Sequence, residues 1–109
     1  MMTWYPELYI GDSIRGRIRR ARQKLEAGRP VFGLYLVTYA TSPHNELDIL
    51  NATFLMQKMV RDRLPEIVGV AGSYEEALAL VLQITEECLM ATGEAHLADY
   101  LKEKVKKEL

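Results

Sequence analysis

The chain has 109 residues, 49% of them hydrophobic and 27% charged, with a net charge of −1, which argues for one domain with a real core and an ordinary soluble surface. Its single cysteine, Cys88, excludes an internal disulfide and fits a reducing, cytoplasmic setting. No apolar run approaches the ~18–20 residues that span a bilayer, and the opening MMTWYPELY lacks the basic and apolar regions of a secretion signal.

In chain order, residues 1–11 gather Trp4, Tyr5, Tyr9 and Ile10 around Pro6 and read as an aromatic lead-in attached to the core. Asp12 or Ser13 can cap a first helix running to about Ala27. Ile14, Ile18, Ala21 and Leu25 form its one narrow seam, and Gly28 and Pro30 end it. The rest of that helix is basic. Arg15, Arg17, Arg19, Arg20, Arg22, Lys24 and Arg29 stand against Glu26 alone, so residues 15–29 carry a surplus of six positive charges.

Val31 to Ala40 is apolar on both alternating faces, as in a central strand, and residues 41–45 (TSPHN) form a loop. Residues 46–64 admit two periods. Leu47, Ile49 and Asn51 alternate like a half-buried strand, whereas Ile49, Thr53, Met56 and Val60 fit helical spacing. The reading taken is a short strand at 47–51 and a helix from Ala52 to about Arg61, broken at Leu64-Pro65.

The stretch EIVGVAGSYEEALALVLQITEECLMATG, residues 66–93, organises the rest. Ile67, Val68 and Val70 predict a buried strand, and Gly72 a turn. Ser73 with Glu76 three residues on forms a capping box. The helix that follows is apolar over more than half its circumference and stops at Gly93, so it should pack on a sheet with one side and on another helix or subunit with the other. Leu97, Leu101 and Val105 line a last helix with lysines crowding its end. The expected architecture is therefore α/β (α+β). A small three-stranded mixed sheet is flanked by about four helices in the order α-β-β-α-β-α-α. Strands 1 and 2 pair through TSPHN, and the open edges of so small a sheet predict a homodimer.

Three constellations could carry chemistry. In the turn GVAGSYEEA, Gly69, Gly72 and Ser73 could offer free backbone N–H groups to an anion, although Glu75 and Glu76 put negative charge on the same first turn. On the first helix, Arg15, Arg19, Arg20 and Arg22 form a basic surface suited to phosphate or nucleic acid, or to the acidic surplus elsewhere: Glu75, Glu76, Glu86, Glu87 and Glu94. No aromatic residues are interleaved with those arginines, and no sequence-reading motif is present.

The third is the carboxylate group Glu86, Glu87, Glu94 and Asp99 with His96, which could approach Mg²⁺. Here KMVRDRLPEIV, residues 58–68, resembles the KLVRDKIPEII opening of small MazG-like nucleotide pyrophosphohydrolases. That resemblance implies an all-helical fold and Mg²⁺ held by an ExxE and a later ExxD motif. Glu87 would match the first glutamate and Asp99 the aspartate. The partner positions hold Met90 and His96, so half the ligand set is missing.

Cys88 sits on the apolar face of its helix and reads as a structural thiol, and neither His44 nor His96 forms a zinc spacing with it. The sequence therefore carries no complete catalytic, metal or cofactor motif. The expectation is a small, cytoplasmic, dimeric binding, regulatory or protein-interaction module. Nucleic-acid or phosphate binding by Arg15–Lys24 and a degenerate MazG-like hydrolase are the alternatives.

Overall fold

A computed structural model describes residues 2–107. The architecture is mixed α+β, with one sheet covered on both faces by helices, as the alternation of apolar runs predicts. The sheet has four strands in the spatial order β1-β4-β2-β3: β1 (Trp4–Ile10), β2 (Tyr35–Tyr39), β3 (Leu47–Asn51) and β4 (Ile67–Ala71). β1 runs parallel to β4, and β2 is antiparallel to both β4 and β3.

The three-stranded sheet expected from the apolar runs is thus joined by a fourth strand. The aromatic stretch placed outside the core is β1 itself, with Tyr5 and Tyr9 buried and stacked at 6.4 Å between ring centroids. Proline is tolerated in a strand only where its missing N–H is not needed, and Pro6 sits on an edge.

Two helices are shorter than the periodicity suggests. Residues 12–27 divide into a 3₁₀ segment, Asp12–Arg17, and α1, Ile18–Glu26, with Gly16 inside the tighter part. Residues 52–61 divide likewise into a 3₁₀ segment, Ala52–Met56, and α2, Lys58–Arg63. Asn51 caps the former, its Oδ1 accepting from Thr53 N at 3.0 Å. The second strand occupies only Tyr35–Tyr39 of the predicted 31–40. Residues 31–34 serve as its lead-in, where Gly33 takes a left-handed φ of 68°.

The organising stretch folds largely as read. β4 is buried at all five positions, and α3 (Tyr74–Thr92) starts at Ser73 and ends on Gly93 at φ 77°. α4 (Leu97–Lys107) follows.

α3 and α4 cover one face of the sheet, over Tyr5, Tyr9, Val37, Val68 and Ala71. Leu80, Ile84, Cys88, Leu97 and Leu101 fill that layer, each burial stabilising by roughly 1.5–3 kcal/mol for a full-sized aliphatic side chain. Gly69 makes the close approach possible: a Cβ there would lie 3.3 Å from both Leu80 Cδ1 and Val37 Cβ. α1, α2 and the two 3₁₀ segments cover the other face, over Leu36, Ile67 and Val70, with Ile14, Ala21, Leu25 and Leu55 beneath them. No helix among the described residues is long and apolar enough to cross a membrane.

Candidate functional site

The strand-to-helix turn after β4 holds an anion, and it is the chain's own. Ser73 Oγ accepts from Glu76 N at 3.0 Å, which is half of the expected capping box. The Glu76 carboxylate does not return to Ser73. It accepts from Gly72 N at 2.7 Å, from Ser13 Oγ at 2.7 Å and from Ser13 N at 3.2 Å. A helix N-terminus and three donors thus converge on one carboxylate. They hold it below the usual glutamate range, the Gly72 N–H contributing most and the Ser13 hydroxyl next.

This knot joins the end of β1 to the start of α3, and it explains two glycines. A Cβ on Gly11 would overlap the Glu76 carboxylate, and one on Gly72 would overlap the Ser13 hydroxyl. Of the predicted anion-binding residues, Gly72 and Ser73 are in the turn with their bonding partners inside the chain. Gly69 lies inside β4 against Leu80, away from them.

The carboxylates of the third constellation are dispersed. Glu87 points across the sheet to β1, accepting from Tyr9 Oη at 2.8 Å, with Lys104 Nζ at 3.8 Å. Burial first, and then the Glu87 bond, raise the Tyr9 phenol well above its ordinary value. Asp99 lies instead in a shallow groove of about 530 Å³ with Glu94, His96 and Glu103. Glu94 bonds His96 at 3.2 Å there. Among the described residues no three His, Cys, Asp or Glu side chains are grouped to hold a metal ion. The KMVRDRLPEIV segment is α2 followed directly by β4, so the all-helical fold that the resemblance implies is not the fold of this chain. Cys88 is fully buried and its thiol donates to the Glu94 carbonyl at 3.0 Å, as a structural residue.

The arginines of the first helix fan out into two sets. Arg15 turns back, its guanidinium donating to the Ile10 carbonyl and to Asp12, both at 3.2 Å. Arg17, Arg20 and Lys24 face the loop holding Phe32 and Gly33. Arg19 and Arg22 face β1. Among the described residues, Arg17, Arg19, Arg20 and Lys24 form no ion pair, so the acidic surplus on α3 does not neutralise this surface.

Between α1 and β1 runs an open groove of about 1060 Å³. Leu8, Ile10 and Ile18 give it an apolar floor, with Arg19, Arg22 and Glu26 along the wall. The wall is braced by the chain's one tryptophan. The Trp4 indole N–H donates to Glu26 Oε1 at 2.6 Å, and the Arg22 guanidinium lies 4.5 Å over its ring. The sequence could not announce this groove, because its floor comes from a strand and a helix that meet only through the sheet. The one available signal was the coincidence of Trp4 with Arg22 and Glu26, which carries no periodicity.

The chain matches no protein-family model, no curated protein and no solved structure.

Proposed function

We propose that this protein is a non-enzymatic binding module of the cytoplasm, working as a homodimer, and that its ligand site is the groove between β1 and α1. The observation that supports it is the groove's chemistry: an apolar floor of Leu8, Ile10 and Ile18, and a wall that sets Arg19 and Arg22 beside Glu7 and Glu26, with Arg19 in no ion pair among the described residues. A site of that kind suits a peptide segment carrying an apolar side chain between carboxylates, the apolar group on Leu8 and Ile18 and the acids on Arg19 and Arg22. Glu87, which the MazG-like resemblance would make a metal ligand, is instead bonded by Tyr9, and the Glu76 carboxylate of the anion-binding turn by Ser13.

Trp4 is a built-in reporter, since a carboxylate that draws Arg22 off the indole changes its emission. Titration with a short peptide alternating Glu and Leu is expected to shift Trp4 fluorescence saturably, and Arg19→Ala with Arg22→Ala to weaken binding at least tenfold. Equal affinity of the double variant would sink the reading.

The exposed set Arg17, Arg20, Lys24 and Arg29 favours one second reading, nucleic acid along the outer side of α1. It predicts binding to an oligonucleotide that falls steeply with salt and is lost with Arg20→Ala while Arg22→Ala leaves it intact.

A further inference from the structure

The opposite edge of the sheet carries a second surface. Bonds from Ala40 N to Glu46 O and from Ala52 N to Leu34 O fix the phase of the β2–β3 ladder. In an antiparallel ladder alternate residues point their backbone groups inward. Glu46, Asp48 and Leu50 therefore face β2, and Leu47, Ile49 and Asn51 direct N–H and C=O away from the sheet. β3 ends the strand order, so among the described residues those groups meet no strand.

Beside this edge, on the face that receives Leu47 and Ile49, lies an uncovered stripe of α3. Tyr74, Leu78, Leu82 and Leu89 follow one another at helical spacing and are 48%, 46%, 58% and 44% exposed. At about 100° per residue, Leu78 and Glu87 are diametrically opposed on the helix. Glu87 reaches Tyr9 on β1, so the stripe looks toward β3. The edge contact of Tyr74 with Tyr35 at 6.0 Å agrees, because Tyr35 is the neighbour of Asn51.

We infer that β3 and the α3 stripe form one continuous interface for a second copy of this chain, the two β3 strands pairing antiparallel about a two-fold axis at Ile49. The register is self-complementary. Ile49 meets its counterpart, Leu47 falls opposite Asn51, and Asp48 falls opposite Leu50, so no like charges oppose one another. The axis brings the two leucine stripes together on the same face, next to the Ile49 pair.

The stripe supplies about half of the area that a dimer needs. Four side chains of roughly 200 Å² each, about half exposed, offer on the order of 400 Å² per copy. The newly paired strands supply the remainder of the ~800 Å² per partner that a standard interface buries. A second copy fits better than an unrelated strand because edge and stripe are matched by the same symmetry operation. The interface gives the homodimer read above its geometry and does not depend on the ligand of the β1–α1 groove.

The test is solution mass by light scattering together with amide hydrogen exchange on the whole chain at about 20 µM. The wild type is expected at about 25 kDa, twice the 12.5 kDa chain. Its Leu47, Ile49 and Asn51 amides should be protected at least tenfold more than in the Leu78→Glu/Leu82→Glu variant. That variant alters only exposed positions and is expected to be a folded monomer. Ile49→Pro, which removes an outward N–H and none shared with β2, is expected to be monomeric as well. A dimer whose Leu47, Ile49 and Asn51 amides exchange freely would overturn this interface while leaving the homodimer reading standing. A wild-type monomer would overturn both.

Discussion

The two edges of the sheet are built to opposite specifications. β1 carries Pro6, has its last carbonyl, Ile10, bonded by Arg15, and is bordered by the arginines of α1. Each of these devices blocks the addition of another strand. β3 carries no proline and no basic residue, and is bordered by Leu78 and Leu82. A small sheet exposes both edges by necessity. The difference teaches that protecting an edge and opening one are both written in side chains. β1 is hindered from pairing further and flanked by the groove, while β3 turns unpaired backbone groups outward beside exposed leucines.

The largest expected effect breaks the covering of β1. Leu25 is 1% exposed on the sheet-facing side of α1, and Leu25→Ala should cost about 2–5 kcal/mol in urea unfolding and weaken ligand binding in the groove with it. A loss below about 1 kcal/mol would mean that α1 does not seal this side.

Next is the knot that ends β1. Gly72→Ala forces a methyl group onto the Ser13 hydroxyl, for an expected loss of about 1–3 kcal/mol. Adding Ser13→Gly should recover part of that loss, and strict additivity of the two changes would count against the contact.

Glu76→Gln comes third, at about 1 kcal/mol after solvent screening. Its pH dependence is the sharper reading. Because the folded carboxyl titrates below the ordinary glutamate range, its contribution is complete above that range and is lost as pH falls through the folded value. Wild-type stability should therefore drop in acid more steeply than that of Glu76→Gln, measured by thermal melts from pH 7 to pH 3.

The smallest effect probes the edge itself. Pro6→Ala should change stability by no more than about 0.5 kcal/mol, yet it restores a donor on β1. Self-association at high concentration that persists in Leu78→Glu/Leu82→Glu is the expected signature. Its absence would place the protection of β1 in Arg15 and α1 instead.

Much of this fold is legible in the chain order of residues. The mixed α+β class, the buried strand at Ile67–Ala71, the strand at Leu47–Asn51 and the helix from Ser73 to Gly93 follow from period, capping and glycine placement. β1 is less legible, because Trp4 and Tyr9 flank a proline and its alternation is broken. Its strand character comes from pairing with β4, some sixty residues away. The basic helix is equally plain in the sequence, but its division into Arg19 and Arg22 facing β1 and Arg17 and Arg20 facing the Phe32 loop depends on which neighbours the helix meets.

The sequence by itself determined the strands at Tyr35–Tyr39, Leu47–Asn51 and Ile67–Ala71, the helix between Ser73 and Gly93 with its cap and its stop, and the separation of charge between α1 and α3. These are local matters of propensity, periodicity and composition. Tertiary structure alone decided that the Glu76 carboxylate accepts from Ser13 rather than turning back to Ser73, and that Glu87 accepts from Tyr9. It also decided that Leu8 and Ile18 share a groove and that Leu78 stands beside an open edge. Each of those is a meeting of groups distant in the chain. A carboxylate takes the donors nearest in space, and only the order of strands in the sheet says which donors, and which edges, those are.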